Sequence, residues 1–201
     1  MKKRVAVLIS GRGSNMTALI EAAQAKDYPA EIVLVVSNRP DALGLARAQQ
    51  AGIATALIDH TRFGKDRGAF ERALDAELQT KQIDIVCLAG FMRLLTPWFV
   101  DRWSGRMINI HPALLPQFKG LDTHRRALEA GVEEHGATVH FVSAGMDEGP
   151  VILQKSVPVL GSDTETSLAA RVLEVEHQIY PQALRLVAEG RARWPDSLPE
   201  Q

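Results

Sequence analysis

Val5-Ala6-Val7-Leu8-Ile9-Ser10-Gly11-Arg12-Gly13-Ser14-Asn15-Met16 is the stretch that decides the fold. Its first five residues are continuously apolar, the pattern of a central parallel strand covered on both faces. Met16 to Ala25 then places Met16, Leu19, Ile20 and Ala23 on one helical face. Strand, glycine turn and helix in that order open a parallel α/β sheet. Glycines let the backbone approach a ligand closely, and a helix N-terminus offers free N–H groups to an anion. Ser14 and Asn15 add side-chain donors. Met16 stands where a dinucleotide fingerprint needs its third glycine, and the Gly-Lys-Ser/Thr of a P-loop is absent. The turn therefore reads as a phosphate site for a smaller ligand. A tight strand-to-helix turn with a serine or asparagine cap is the alternative these residues leave open.

Working outward, Ile32–Val36 is a second buried strand. Its tip, Ser37-Asn38-Arg39-Pro40, lacks the acid that would take ribose hydroxyls in an NAD site. Ala42–Ala51 is expected as a helix stopped by Gly52, Ala54–Ile58 as a strand, Asp59–Arg67 as a polar loop, and Gly68–Lys81 as a helix with Phe70, Leu74 and Leu78 inward. Ile83–Ala89 is a fourth strand. The apolar loop Gly90–Leu95 lies at its C-terminal end, where open α/β sheets bind ligands. Phe91, Met92, Leu94 and Leu95 could line a slot for a flat heterocycle, with at least two of them expected to be core beneath the loop. Phe99–Trp103 is read as a connection to the next strand.

Further on, Arg125–Ala130 reads as a helix stopped by Gly131, Glu133–Gly136 as a turn and Ala137–Val142 as a strand. The glycine-rich loop Ser143–Pro150 and the strand Val151–Val157 then suggest a hairpin, so the sheet should be mixed. Ser162-Asp163-Thr164-Glu165 fits a capping box. It opens a long helix with Leu168, Val172, Val175 and Ile179 on one face, which Pro181 should kink or split. The tail Arg191–Gln201 is expected to be irregular. The fold class is α/β: a Rossmann-like open, mostly parallel sheet with helices on both faces and an antiparallel hairpin near the C-terminal part, in one domain over 1–201.

Composition narrows the function. The 201 residues suffice for one sizeable core, and a formal net charge of -1 gives no global bias toward nucleic acid. No run of about 18 apolar residues exists and the apolar run after the basic start ends at Ile9, so neither a membrane partner nor a signal peptide is expected. The single cysteine, Cys87, can form no internal disulfide, which fits a cytoplasmic location. The six histidines show no ligand spacing, so no metal is expected. Oligomeric state is left at monomer or homodimer.

The chemistry gathers in Met107-Ile108-Asn109-Ile110-His111-Pro112-Ala113-Leu114-Leu115-Pro116, a short strand entering a proline-stiffened loop. A strand has a side-chain period of two, so Asn109 and His111 share a face. Asn can donate to a developing oxyanion and His can hold or move a proton near neutral pH. If the strand ends near His111, both groups project into a site just beyond it. A polar strand edge with a hydrogen-bonded core histidine is the alternative. Asp147, between Gly145 and Gly149, is a candidate for a carboxylate held at a loop tip; a solvated turn aspartate is the bland reading.

Asn109-Ile110-His111-Pro112-Ala113-Leu114-Leu115-Pro116, Gly120, His124 and the Asp147-Glu148-Gly149-Pro150 loop together resemble the folate-dependent formyltransferase family. Gly11-Arg12-Gly13-Ser14-Asn15, Leu88-Ala89-Gly90-Phe91-Met92-Arg93 and Glu176-His177 resemble its branch in purine biosynthesis. The resemblance covers Val5 to about Trp194. It implies formyl transfer from 10-formyltetrahydrofolate, as co-substrate, to the amine of 5'-phosphoribosylglycinamide. Matched positions then imply a catalytic trio of Asn109, His111 and Asp147. They imply substrate contacts at Gly13, Ser14, Asn15, Leu173, Glu174, Val175 and Glu176. Folate contacts are implied at Arg67, Met92, Arg93, Leu94, Leu95 and Asn109, and in the loop Ser143, Ala144, Gly145, Met146 and Asp147. Ala113 departs from the serine that often follows His-Pro in the family, with little effect expected.

Asp147 near His111 would favour the imidazolium. Asn109 and the charged His111 would both donate to the oxyanion, and Asp147 would relay a proton through water. Other acceptors within the family are methionyl-tRNA, water and an amino-sugar nucleotide. The tRNA enzyme and the water-using deformylase carry an added domain, for which a chain with its first strand at Val5 and its end at Gln201 is expected to leave no room. A non-catalytic Rossmann-like nucleotide-binding module is the reading from a different class. The missing third glycine and the missing acid after the second strand weigh against it.

Overall fold

The structure, a computed structural model, describes residues 1–195. Seven strands form one sheet: β1 (Lys3–Ile9), β2 (Ala30–Ser37), β3 (Ala54–Leu57), β4 (Ile85–Leu88), β5 (Met107–His111), β6 (Glu134–Phe141) and β7 (Val151–Pro158). Their order is β3-β2-β1-β4-β5-β6-β7. The first five are parallel, and β6 pairs antiparallel with both neighbours. The mixed sheet with an antiparallel hairpin is as expected, but β5 and β6 also pair antiparallel, across the segment 112–133 rather than through a hairpin turn.

The apolar run of β1 divides by parity. Val5, Val7 and Ile9 enter one core and Ala6 and Leu8 the other. The first core is closed by α1 (Ser14–Ala23), α2 (Leu43–Gln50), α5 (Thr123–Ala130) and α6 (Glu165–Ala188), which supply Met16, Leu19, Ala48, Ala127 and Leu168. The second is closed by α3 (Arg67–Thr80) and α4 (Pro97–Arg102), with Phe70, Leu74, Leu78, Phe99 and Val100. Helices thus cover both faces, and the unbroken apolar run Val5–Ile9 of β1 follows from double coverage.

Four local expectations change. Segment 97–102 is a helix, begun by Pro97 at its first position and tethered by Glu71, whose carboxylate accepts from the Thr96 N–H at 2.7 Å and from the Thr96 hydroxyl. Glu134–Gly136 belongs to β6, not to a turn. Gly136 is there because a Cβ would lie 2.2 Å from the Lys155 carbonyl oxygen on β7. The capping box of α6 is Thr164 with Ser167, not Ser162 with Glu165: the Thr164 hydroxyl accepts from the Ser167 N–H and the Ser167 hydroxyl from the Thr164 N–H. Pro181 does not split α6, which runs unbroken and packs Val175, Ile179 and Leu184 on the sheet. Burial of that face outweighs one missing backbone donor. Residues 191–195 carry no helix or strand, and the rest of the expected irregular tail, 196–201, lies outside the described residues.

Candidate active site

The chain winds outward from β1 to β3, then returns to β4 on the other side of β1. The crevice at this reversal, above β1 and β4, is where such sheets bind ligands. The Ser10 N–H donates to the Gly90 carbonyl (3.1 Å), joining the two loops that form it. A cavity of about 380 Å³ opens here, lined among others by Gly11–Asn15, Arg39, Met92 and Leu173.

The turn is built from backbone. Gly13, at φ 74°, occupies the N-cap position of α1 and no side chain caps the helix, so the serine or asparagine cap is excluded. The first N–H groups of α1 stay free for an anion. Gly44 at the start of α2 explains the crowding: its N–H donates to the Gly11 carbonyl (3.0 Å), and a Cβ on Gly13 would lie 3.1 Å from the Gly44 Cα. The Asn15 amide donates to Glu176 (2.6 Å), while its Oδ1 is buried without a partner among the described residues. Burial pushes the Glu176 carboxyl up, and the Asn15 hydrogen bond opposes this. Of the other expected substrate residues, Leu173 lines the cavity, Glu174 is exposed, and Val175 is buried in the core.

The catalytic candidates meet against the sheet. Met107 enters the α3/α4 core while Ile108 and Ile110 enter the other, so Asn109 and His111 share the α3/α4 face. His111 is buried; its Nε2–H donates to the Phe118 carbonyl (3.0 Å) and its Nδ1 lies 3.4 Å from Asp147 Oδ2. Both ring nitrogens thus face oxygen acceptors. Asp147, at φ 54°, also accepts the Gly120 N–H (2.9 Å). His140, opposite Asn109 in the ladder, donates from Nδ1–H to the Phe141 carbonyl (2.8 Å). Burial lowers its pKa, so its neutral Nε2 accepts from the Asn109 amide at 3.3 Å. That contact turns the amide N–H groups inward and leaves one to donate.

β5 ends at His111, as expected, and Asp147 meets that last residue. β6 leaves the sheet beside Met107 and Ile108, yet Asp147 touches His111 farther along. The Ser143–Pro150 loop therefore doubles back over the face of β5. Gly149 permits the fold, since a Cβ there would collide with the Phe141 carbonyl at 1.7 Å. The proline loop is held as well as stiffened: the Thr138 hydroxyl donates to the Ala113 carbonyl (2.6 Å) and accepts from the Leu115 N–H (3.1 Å), and Gln154 donates to the Leu115 carbonyl (2.7 Å).

The loop after β4 divides as expected: Phe91 and Leu95 pack on the core, while Met92 and Leu94 are exposed. Arg67 donates to the Leu94 carbonyl (2.6 Å), and Arg93 lies over the Phe70 ring. Ala144 and Met146 are exposed on the returning loop, and the Ser143 hydroxyl donates to the Gly145 carbonyl. Sequence reasoning missed Gly44, Ser10 and Arg39. The Ser10 hydroxyl accepts from the Met92 N–H (2.8 Å) and donates to Asn38 Oδ1 (2.5 Å), tying the slot loop to the tip of β2. No spacing rule links these positions.

An amide and an imidazole on β5 beside a carboxylate, with β4 between them and a glycine turn at a helix N-terminus, are the groups an acyl-group transferase needs. The model of the formyl transferase family matches residues 3–184, and the chain belongs to that family. Within it, the chain is similar to phosphoribosylglycinamide formyltransferase of Escherichia coli (strain K12), 49% identical over 189 residues that cover 94% of this chain and 89% of that protein. It is 51% identical over 192 residues to the trifunctional purine biosynthetic protein adenosine-3 of Bos taurus. There it covers 96% of this chain but spans only 19% of the relative's length. The crystal structure of phosphoribosylglycinamide formyltransferase from Brucella melitensis superposes with a TM-score of 0.90 at 52% identity, covering 94% of this chain and 96% of that one.

Proposed function

We propose that this chain, acting as one formyltransferase unit, moves the formyl group of 10-formyltetrahydrofolate to the primary amine of 5'-phosphoribosylglycinamide, giving the N-formyl product and tetrahydrofolate in purine biosynthesis. The observation that carries the reading is the adjacency of two sites. Asn109 pairs with Leu88 in the ladder, and Ala89, Gly90 and Met92 just beyond Leu88 line the same cavity as the phosphate turn. β4 separates β1 from β5, so the turn and the Asn109–His111 pair stand two strand spacings, roughly 10 Å, apart, a span that an extended phosphoribosyl amine bridges.

Gly13, Ser14 and Asn15 hold the phosphate, and the buried Asn15 Oδ1 takes a donor from the same substrate. Glu176, held by Asn15, faces the glycinamide end, with Leu173 to Val175 contributing chiefly through Leu173. Exposed Met92 and Leu94, with Arg67 and Arg93 behind them, and the backbone of Ser143 to Asp147 hold the flat folate. As the amine attacks the formyl carbon, the carbonyl oxygen gains charge. The free Asn109 N–H donates to it, and a protonated His111, whose two ring nitrogens face Phe118 and Asp147, stabilises it by its nearby positive charge. Asp147 accepts the proton lost by the amine, through a water, and returns it to the departing folate nitrogen, so one proton leaves and one arrives. Among the described residues no group of three or more His, Cys, Asp or Glu is placed to hold a metal ion, and no helix is long and apolar enough to cross a membrane. We place the reaction in the cytoplasm, in keeping with the buried free thiol of Cys87.

The deciding experiment supplies purified protein and 10-formyltetrahydrofolate with glycinamide ribonucleotide or with buffer alone. Folate deformylation only with the amine present is expected. Equal loss in buffer would establish a hydrolase instead.

A further inference from the structure

The cavity at the phosphate turn has an electrostatic asymmetry that the glycine motif does not explain. Its lining contains two arginines, Arg12 and Arg39, and no carboxylate. A phosphate monoester carries close to two negative charges, whereas a helix N-terminus supplies about half of one positive charge. The neutral N–H groups of α1 and the Ser14 hydroxyl leave most of that charge uncompensated. From α6 the lining receives Leu173, which is apolar.

We propose that Arg12 and Arg39 are the specificity-determining cations for the phosphate of the acceptor, an inference that rests on the acceptor being a phosphorylated amine. Arg12 sits between Gly11 and Gly13, is exposed, and makes no hydrogen bond or ion pair among the described residues. Arg39 is held in place before any ligand arrives. Its backbone N–H donates to the Ser37 hydroxyl (3.0 Å), which donates back to the Arg39 carbonyl (2.9 Å). Its fork is oriented by Asp41, with Nε at 3.0 Å from one carboxylate oxygen and Nη2 at 2.8 Å from the other. A guanidinium has five N–H donors, so three remain for a phosphate. Asp41 offsets part of the Arg39 charge, so the unpaired Arg12 and the three remaining Arg39 donors supply what a phosphate dianion gains here. A dephosphorylated acceptor forgoes those charge-assisted hydrogen bonds, and the discrimination follows from this difference.

The test uses Arg12→Gln, Arg39→Gln and the double variant. KM for glycinamide ribonucleotide should rise about tenfold in each single variant and about a hundredfold in the double, from loss of charge-assisted hydrogen bonds. kcat at saturation should fall by less than about threefold and KM for 10-formyltetrahydrofolate should stay level, because chemistry and the folate slot lie elsewhere. A merely structural role would lower kcat and both affinities together. Ribose 5-phosphate binding by calorimetry requires no turnover and separates this inference from the activity. Affinity in the double variant within about twofold of the parent overturns the inference. A parent that binds ribose 5-phosphate through these arginines but does not formylate glycinamide ribonucleotide supports the inference and sinks the acceptor assignment.

Discussion

The turn after β1 and the cluster around β5, which we propose to be two halves of one site, are built by opposite means. The first is made of backbone: a left-handed glycine, free helix N–H groups and a second helix pressed against it at Gly44. The second is made of side chains whose hydrogen bonds fix one another's orientation: Asn109 on His140, and His111 between Phe118 and Asp147. A backbone site tolerates changes of side chain but not of shape. A side-chain site tolerates small changes of shape but not of chemistry.

The sharpest way to separate the halves is Asp147→Asn. The amide keeps the size of the side chain but loses the proton acceptor. Turnover should drop about a hundredfold to ten-thousandfold, while calorimetry shows ribose 5-phosphate binding unchanged. Weakened phosphate binding in that variant would break the division. The converse is Gly44→Ala. Its Cβ would lie 2.4 Å from Ile9 Cδ1, which is fully buried, and 3.2 Å from the Gly11 carbonyl. Thermal unfolding should reveal a loss of about 1–3 kcal/mol, with KM for the phosphorylated amine raised more than KM for folate.

Ser10→Ala probes the seam between the halves. It strands the Met92 N–H and Asn38 Oδ1, at a cost of about 1–3 kcal/mol when buried. Only part of that should reach function, as a few-fold rise in the KM for folate; an equal rise for both substrates would show that the network serves the whole crevice.

Acid gives the mildest separation. Burial lowers the pKa of His124 and His140, and that of His135 to about 4, helped by His124 and His111 nearby. Unfolded histidines titrate near 6.5. Between these values the unfolded chain binds more protons, so the stabilisation is whole above about pH 6.5 and is lost as pH falls toward 4. These three lie around the side-chain half, against one such histidine, His177, beside α1. Hydrogen exchange at pH 5 should therefore deprotect β6 before β1, and simultaneous loss would show that the sheet responds as one unit.

The same contrast governs what could be read from sequence. The turn after β1 is contiguous, so glycine spacing and the apolar runs on either side disclosed it, together with the reason it is neither a dinucleotide site nor a P-loop. Its supports were not legible: Gly44 and Arg39 come from distant elements and meet Gly11 and the cavity only through packing. Period-two alternation put Asn109 and His111 on one face, which the two cores confirm. That Asp147 joins them came only from resemblance, because no local rule makes a loop reverse along the strand it has just passed. The helix Pro97–Arg102 is six residues long, too short to display a helical period. Gly136 looked like a turn signal because a strand glycine excluded by close backbone and a turn glycine look the same in a sequence.

The returning loop also makes segment 142–150 a ruler. Most surface connections absorb an extra residue with little consequence. Here both ends are fixed, at Phe141 and Val151 in the ladder, and the distance counted out between them decides whether a carboxylate stands beside His111. An added or deleted residue would leave sheet, turn and cavity intact and still mis-measure that span. In this fold, the length of one loop decides which side chain meets His111.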